Sequence, residues 1–570
     1  MKNDERISPR FRSSKVSRPQ AKRSTASQLA IVLMVVGALF LSSCAEKVRR
    51  DNLAYKNANV TSNGPMTTAD TARQMGVAPQ SRPMPQDEES QQFNTEGYSH
   101  IDENPFLEVA RAPLSTFSID VDTASYSNTR RFLKDGQLPP KDAVRIEELV
   151  NYFSYDYPQP VGNAPFSVTA EISEAPWNTT HRLVHIGLQG RRVSMENLPP
   201  ANLVFLLDVS GSMNDPRKLP LVKSAMKVLT EQLAARDRVA MVVYAGSSGL
   251  VLPSTPGDRK GEILAAIDRL DAGGSTNGGE GIQLAYKIAQ ENFIKNGVNR
   301  VILATDGDFN VGVTSEGDLV RLIEEKRQSG VFLSVLGFGT GNVKDSTMEK
   351  LADKGNGNYA YVDSLAEARK VLGEQIGGTL FTIAKDVKIQ VEFNPKQVAA
   401  YRLIGYENRL LRDQDFNDDK KDAGEIGAGH TVTALYEVVP FGQRFENPGV
   451  DPLKYQEPVK TSELANSNEM MTVKLRYKEP AEDQSKLISV SLADSKGNLS
   501  AASENFRFAS AVAAFGMLLR DSKYKADLSY NQVLELARNS TGADRQGYRS
   551  EFIQLVETAR LLSSQRASRD

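Results

Sequence analysis

The pattern of apolar and polar positions changes character several times along the chain. Residues 29–40 form an unbroken twelve-residue apolar run, too short to span a bilayer comfortably. From Ala45 to about Asn104 large apolar residues are sparse among Asn, Ser, Thr, Gln, Pro and Met. Such a stretch cannot offset its ordering entropy and is expected to be a flexible tether. Structured patterning resumes near Phe106. Residues 116–122 alternate as a strand, 126–134 and 145–153 carry helical spacing, and 166–173 and 183–188 alternate like antiparallel strands.

After Pro199-Pro200 the rhythm becomes α/β for about 170 residues. Apolar runs at 203–207, 239–244, 301–305 and 331–338 read as strands. Helical spacing follows Leu219 and recurs at 262–270, 282–294, 319–328, 347–353 and 365–372. Strands alternating with helices predict a Rossmann-like α/β domain, a mostly parallel sheet covered on both faces. Beyond Ile383 alternating strands return at 387–393, 401–404, 430–439, 471–477 and 487–492. They resemble in kind the strands before residue 195, so both sets are expected to build one β-sandwich into which the α/β domain is inserted. From Glu504 the spacing of Phe508, Val512, Phe515 and Leu519, and later of Phe552, Leu555, Val556 and Ala559, is helical. The resulting organisation is a signal segment (1–43), a tether (44–104), an N-terminal α+β region (105–198), the α/β domain (199–375), a β-rich domain (376–503) and a helical C-terminal region (504–570).

Charge changes the picture at the start of the chain only. The sequence has 69 Lys plus Arg against 71 Asp plus Glu, so no global basic excess points to nucleic acid. Residues 1–27 nevertheless carry eight basic and two acidic side chains, and without them the net charge moves from −2 to −8. A remainder of that sign repels nucleic acid and anionic membranes. A basic leader before a short apolar core reads as a secretory signal. It ends in Leu41-Ser-Ser-Cys44, which resembles the lipobox at which bacterial lipoproteins are cleaved and lipidated. Cys44 is the one cysteine in the sequence, so lipidation there explains the lone thiol, and no disulfide forms within the chain. The expected location is the cell envelope, lipid-anchored, with outer-membrane sorting favoured in a Gram-negative cell because Ala45 follows the cysteine.

Candidate chemistry centres on Asp208-Val-Ser-Gly-Ser-Met213, a turn between an apolar run and a helix. Ligands of open α/β sheets bind at that strand edge. Asp-x-Ser-x-Ser alone also suits a helix N-cap. Downstream, however, Thr276 lies in the glycine-rich loop 273–281 ahead of a helix, and Asp306 ends the next apolar run. Asp208, Ser210, Ser212, Thr276 and Asp306 offer oxygen alone, the chemistry of a hard cation such as Mg²⁺, with Mn²⁺ or Ca²⁺ as alternatives.

These residues resemble the metal-ion-dependent adhesion site of von Willebrand factor type A (VWA) domains. The resemblance implies that Ser210, Ser212 and sometimes Thr276 touch the metal while Asp208 and Asp306 act through water. It also implies an open coordination position for an acidic side chain of a protein partner. Residues 115–126, 145–153 and 429–437 extend the likeness to YfbK-type bacterial VWA lipoproteins, which implies adhesion or protein interaction rather than catalysis. His181 and His185, four apart in a strand-like run, do not match a helical zinc motif. Neither Gly-x-x-x-x-Gly-Lys-Ser/Thr nor Gly-x-Ser-x-Gly occurs. An enzyme is therefore not expected. The alternative is an envelope enzyme or chaperone-like accessory protein, for example a phosphoesterase, that recruits substrate through the VWA domain.

Overall fold

A computed structural model describes residues 95–568 apart from 275–277, 308–314 and 444–460. The central sheet runs in the order Tyr359–Tyr361, Phe332–Gly337, Val298–Thr305, Ala201–Asp208, Arg238–Tyr244, Ser248–Pro256. Its strands are parallel except the last, which pairs antiparallel with Arg238–Tyr244. All eight residues of Ala201–Asp208 are buried. Leu203, Phe205 and Leu207 enter the core on one face, while Val204 and Leu206 enter the core on the other. A strand buried on both faces favours apolar residues on both, which is why Leu203 to Leu207 is unbroken rather than alternating, while the buried Asn202 amide donates to Ala289 O at 2.8 Å. From this strand the chain moves first to one neighbour and later to the other. Its carboxyl end is thus a topological switch point, where open α/β sheets place ligands.

Two antiparallel sheets pack into the sandwich. One runs Leu107–Glu108, Val398–Ile404, Thr431–Pro440, Asn178–Gly190, Phe166–Ala175. The other runs Gly424–Gly427, Thr382–Phe393, Glu469–Lys478, Lys486–Ala493, and Leu114–Ser118 also pairs with Thr382–Phe393. Segments on either side of the α/β domain interleave within one sheet, where Ile186 pairs with Ala434 and Val184 with Tyr436. Their inward side chains share a core with Ile389, Val391, Val473 and Leu475 of the facing sheet. The outer face of the first sheet, through Leu183, Ile404 and Leu435, is covered by helices. Glu504–Arg520 is the hub of these. It is buried nearly all round, and Ser503 caps it by accepting from Phe506 N at 3.1 Å.

The structure departs from the sequence expectations in three places. Residues 95–104 are packed rather than part of the tether. Glu96 accepts from Gly341 N at 2.8 Å and Asn104 donates to the carbonyls of Leu403 and Gly405, so polar side chains hold a stretch that apolar counting leaves free. The strand expected over 116–122 is Leu114–Ser118. Past it the chain turns so that the buried carboxylates of Asp120 and Asp122 meet Arg409 at 3.1 and 3.5 Å. The core of the α/β domain continues beyond 375 to Ile376 and Leu380, because the chain forms one more helical turn, Ile376–Leu380, before entering the sandwich. The signal segment, Cys44 and most of the expected tether lie outside the described residues.

Candidate functional site

Asp208 is the last residue of its strand and fully buried. Its Oδ1 accepts from Ser210 N at 2.9 Å, and its Oδ2 accepts from Tyr244 Oη at 3.2 Å and Thr305 Oγ1 at 3.3 Å. The turn returns both hydroxyls to the same place, with Ser210 Oγ 3.1 Å from Ser212 Oγ. Asp306, also fully buried, follows the neighbouring strand Val298–Thr305 and accepts a hydrogen bond from Ser212. The structure thus brings together four of the five residues singled out in the sequence. The fifth, Thr276, lies outside the described residues. The loop on its N-terminal side is nevertheless stitched to the turn, because Gly211 N donates to Gly274 O at 3.0 Å and Gly273 N to Val209 O at 2.7 Å.

The two carboxylates are in different electrostatic states. Each hydrogen-bond partner of Asp208 among the described residues is neutral. Burial, with the nearby Asp306 charge adding to it, pushes the Asp208 carboxyl up to about 6 in spite of those bonds. Burial also acts against the Asp306 charge, but hydrogen bonding from Asn342 and the Lys218 ammonium more than offset it and hold Asp306 below the usual carboxylate range. Lys218 Nζ is 2.9 Å from Asp306 Oδ2 and 3.0 Å from Asn342 Oδ1.

Lys218, Asn342, Tyr244 and Thr305 are the site residues that sequence reasoning missed. One signal for Lys218 was available. It stands at the N-cap of the helix Leu219–Gln232, where the helix dipole disfavours a cation, so a carboxylate partner had to be near. The others come from separate strands and loops and left no spacing to read.

This donor set fits a hard divalent cation. A buried carboxylate with neutral partners lacks positive charge, two hydroxyls and a second carboxylate adjoin it, and every donor is oxygen. Asp208, Ser210, Ser212 and Asp306 would hold Mg²⁺. Bound there, such an ion would supply a Lewis-acidic position.

His181 and His185 are engaged elsewhere. His181 Nδ1 is 2.6 Å from Glu437 Oε1, and His185 Nε2 is 2.9 Å from Tyr157 Oη. Among the described residues the carboxylates of Asp120, Glu148 and Glu349 also converge. They enclose Arg145 and Arg409, which pair with them and with Asp345 and Asp353. That cluster is an ionic joint between the N-terminal region, the α/β domain and the sandwich.

Comparison with known proteins agrees with this architecture. The von Willebrand factor type A domain family matches residues 202–374. A family described as von Willebrand factor matches 92–185, and the C-terminal domain of "Uncharacterized protein YfbK" matches 378–562. The YfbK protein of Escherichia coli (strain K12) is 46% identical over 475 residues, covering 82% of this chain and 81% of that protein. Human inter-alpha-trypsin inhibitor heavy chain H3 is 25% identical over 302 residues, 48% of this chain and 33% of that one. Among solved structures, a von Willebrand factor type A protein from Catenulispora acidiphila aligns with 68% of this chain and 90% of its own at 17% identity and a TM-score of 0.38. VWA domains are in general non-catalytic modules of protein interaction and adhesion, and this chain carries one. By its identity to the Escherichia coli protein along most of both sequences, the chain belongs to the YfbK family of bacterial VWA proteins.

Proposed function

We infer that the protein is a lipid-anchored component of the cell envelope whose VWA domain binds Mg²⁺ through Asp208, Ser210, Ser212, Thr276 and Asp306. In this reading the ion's open position takes an acidic side chain of a partner protein, and Cys44 carries the lipid, with the outer membrane as the favoured site in a Gram-negative cell. One observation carries the reading: a buried Asp208 carboxylate with neutral partners stands beside two hydroxyls and Asp306 at the switch point of the sheet. The acidic remainder of the chain, without basic excess, fits a protein partner rather than nucleic acid. The test is capture of partners from an envelope extract by the wild-type protein and by Asp208→Ala, each with Mg²⁺ and with chelator. A partner retained by wild type in Mg²⁺ alone supports the reading. Equal retention under all four conditions overturns it.

A further inference from the structure

The described chain begins at Thr95, and its first residues lie along the loop that carries Asn342. Thr95 N donates to Gly341 O at 2.7 Å and Gly97 N to Val343 O at 2.9 Å, and Gly97 pairs with Lys344 in a parallel bridge. Glu96 acts as the bolt of this strap. Its side chain is 3% exposed, Oε1 accepts from Gly341 N, and Oε2 accepts from Arg131 Nη2 and Tyr98 Oη, both at 3.0 Å. Arg131 is itself fixed by Asn128 Oδ1 at 2.8 Å and lies over the Phe132 ring.

The loop so held confines Lys218. Gly339 has a φ of +80°, and a Cβ there would stand 2.5 Å from Lys218 Cε, so the lysine stem runs against bare backbone. Asn342 then takes one hydrogen bond of the ammonium and Asp306 takes another. Strap, loop, lysine and metal-site carboxylate form one continuous series of contacts.

We propose that Lys218 is a resident cation of the metal site, kept on Asp306 by the strap, and that it competes with the divalent ion so that seating of the strap sets the site's affinity. The proposal rests on the metal-site reading above. An ammonium on Asp306 Oδ2 withholds that oxygen and places a like charge beside any divalent ion held by the same carboxylate. When the strap leaves, Gly341 and Val343 lose the backbone bonds that hold Asn342 between them beside the ammonium. The ammonium then turns to water and Asp306 is released to the metal. Anything that draws residues 95–98 away from the loop therefore strengthens metal binding, and with it capture of an acidic partner.

Titration calorimetry of the full chain with MgCl₂, repeated with MnCl₂ and read by electron paramagnetic resonance, tests this on wild type, Asp208→Ala, Lys218→Met, Glu96→Ala and the Glu96→Ala/Lys218→Met pair. Lys218→Met is expected to bind Mg²⁺ at least about tenfold more tightly than wild type. Glu96→Ala is expected to tighten binding about threefold alone and to add nothing in the Lys218→Met background, because it acts through the ammonium. Binding by Lys218→Met equal to or weaker than wild type overturns the proposal, as does an equal effect of Glu96→Ala in both backgrounds. Should Lys218→Met fail to fold, Asn342→Ala replaces it, with tighter binding again expected and unchanged or weaker binding overturning the proposal. If wild type binds and Asp208→Ala does not, the metal-site reading stands and the lysine variants alone decide. If neither wild type nor Lys218→Met binds either ion, the metal-site reading falls and takes the proposal with it.

Discussion

Arg130, on the helix Ala124–Lys134, donates from Nη2 to Glu367 Oε2 of the VWA domain at 2.7 Å. The same guanidinium reaches Asp363 through Nε at 2.8 Å, and through Nη1 it reaches Tyr152 Oη at 2.8 Å and Glu551 of the last helix at 3.1 Å. One side chain thus joins the N-terminal region, the inserted domain and the C-terminal helices. Burial works against the Glu367 charge, but Arg130 and Lys370 hold its carboxyl below the usual range. Arg130→Met leaves Asp363 and Glu367 buried without their main partner and is expected to cost about 3–5 kcal/mol. Adding Glu367→Gln should return part of that loss. Thermal melts of the single and double variants check both.

Mg²⁺ should raise the melting temperature of wild type and leave Asp208→Ala unmoved. An ion bound by the folded state alone adds about 2.7 kcal/mol at a hundred times its dissociation constant. Without metal the order changes, because Lys218 serves Asp306 while Asp208 has neutral partners. Removing the Asp208 carboxylate then removes an uncompensated buried charge, and the metal-free variant should melt no lower than metal-free wild type. Scanning calorimetry of both proteins, with Mg²⁺ and with chelator, reads the two effects separately.

Acid should weaken the fold through His185. Burial pushes this imidazole down to about 4, against an ordinary value of about 6.5 in the unfolded chain. Below 6.5 the unfolded state takes up a proton that the folded state refuses. The contribution of this group therefore falls as pH drops from about 6.5 towards 4, by about 2 kcal/mol between pH 7 and pH 5, while Glu147 and Glu148, pushed up to about 8 mainly by burial, contribute in the opposite direction. His185→Gln should remain more stable at pH 5, relative to its own stability at pH 7, than wild type does by about 2 kcal/mol, while His430, also pushed down to about 4 by burial and by Lys370, makes a similar contribution in both proteins. Denaturant titrations at several pH values between 4 and 7 provide the test.

Gly427→Ala addresses the joint where the inserted domain returns to the sandwich. A Cβ at Gly427 would stand 1.8 Å from Gly378 O, a backbone atom of the helix Ile376–Leu380. Neither partner is a flexible side chain, so the strand Gly424–Gly427 must leave its place. A loss of about 3 kcal/mol or more is expected, together with faster proteolysis near residues 376–382. Limited digestion with mass spectrometry locates the cut.

The strand ends that carry the candidate site were legible for a physical reason. Asp208 ends one strand and Asp306 directly follows another, and the apolar runs 203–207 and 301–304 within them mark burial on both faces, so the switch point could be placed from the chain alone. The sandwich was legible because alternating strands on both sides of the insertion share one period. The strand Ser248–Pro256 was not, since Pro253, Pro256 and its small polar residues argue against a strand. Proline is tolerated there because the strand lies at the sheet's edge. Lys218 and Asn342 meet at Asp306 from positions more than a hundred residues apart, and no periodicity records such a meeting. The strap at Glu96 was missed because hydrogen bonds hold it, and hydropathy does not register them.

The insertion has a consequence for the order in which the chain matures. The hairpin Phe166–Ala175 and Asn178–Gly190 has its open edge sealed by Thr431–Pro440, which is synthesised about 240 residues later. At about 5–20 residues per second that interval is roughly 12–50 s. Within it the whole VWA domain emerges, rich in helices and neighbouring βα units that close early. The hairpin waits with a row of unsatisfied amides and carbonyls exposed along Asn178–Gly190, a surface that recruits other strands. Until Thr431–Pro440 docks, during synthesis or after export, this edge is therefore the surface most open to wrong strand pairing.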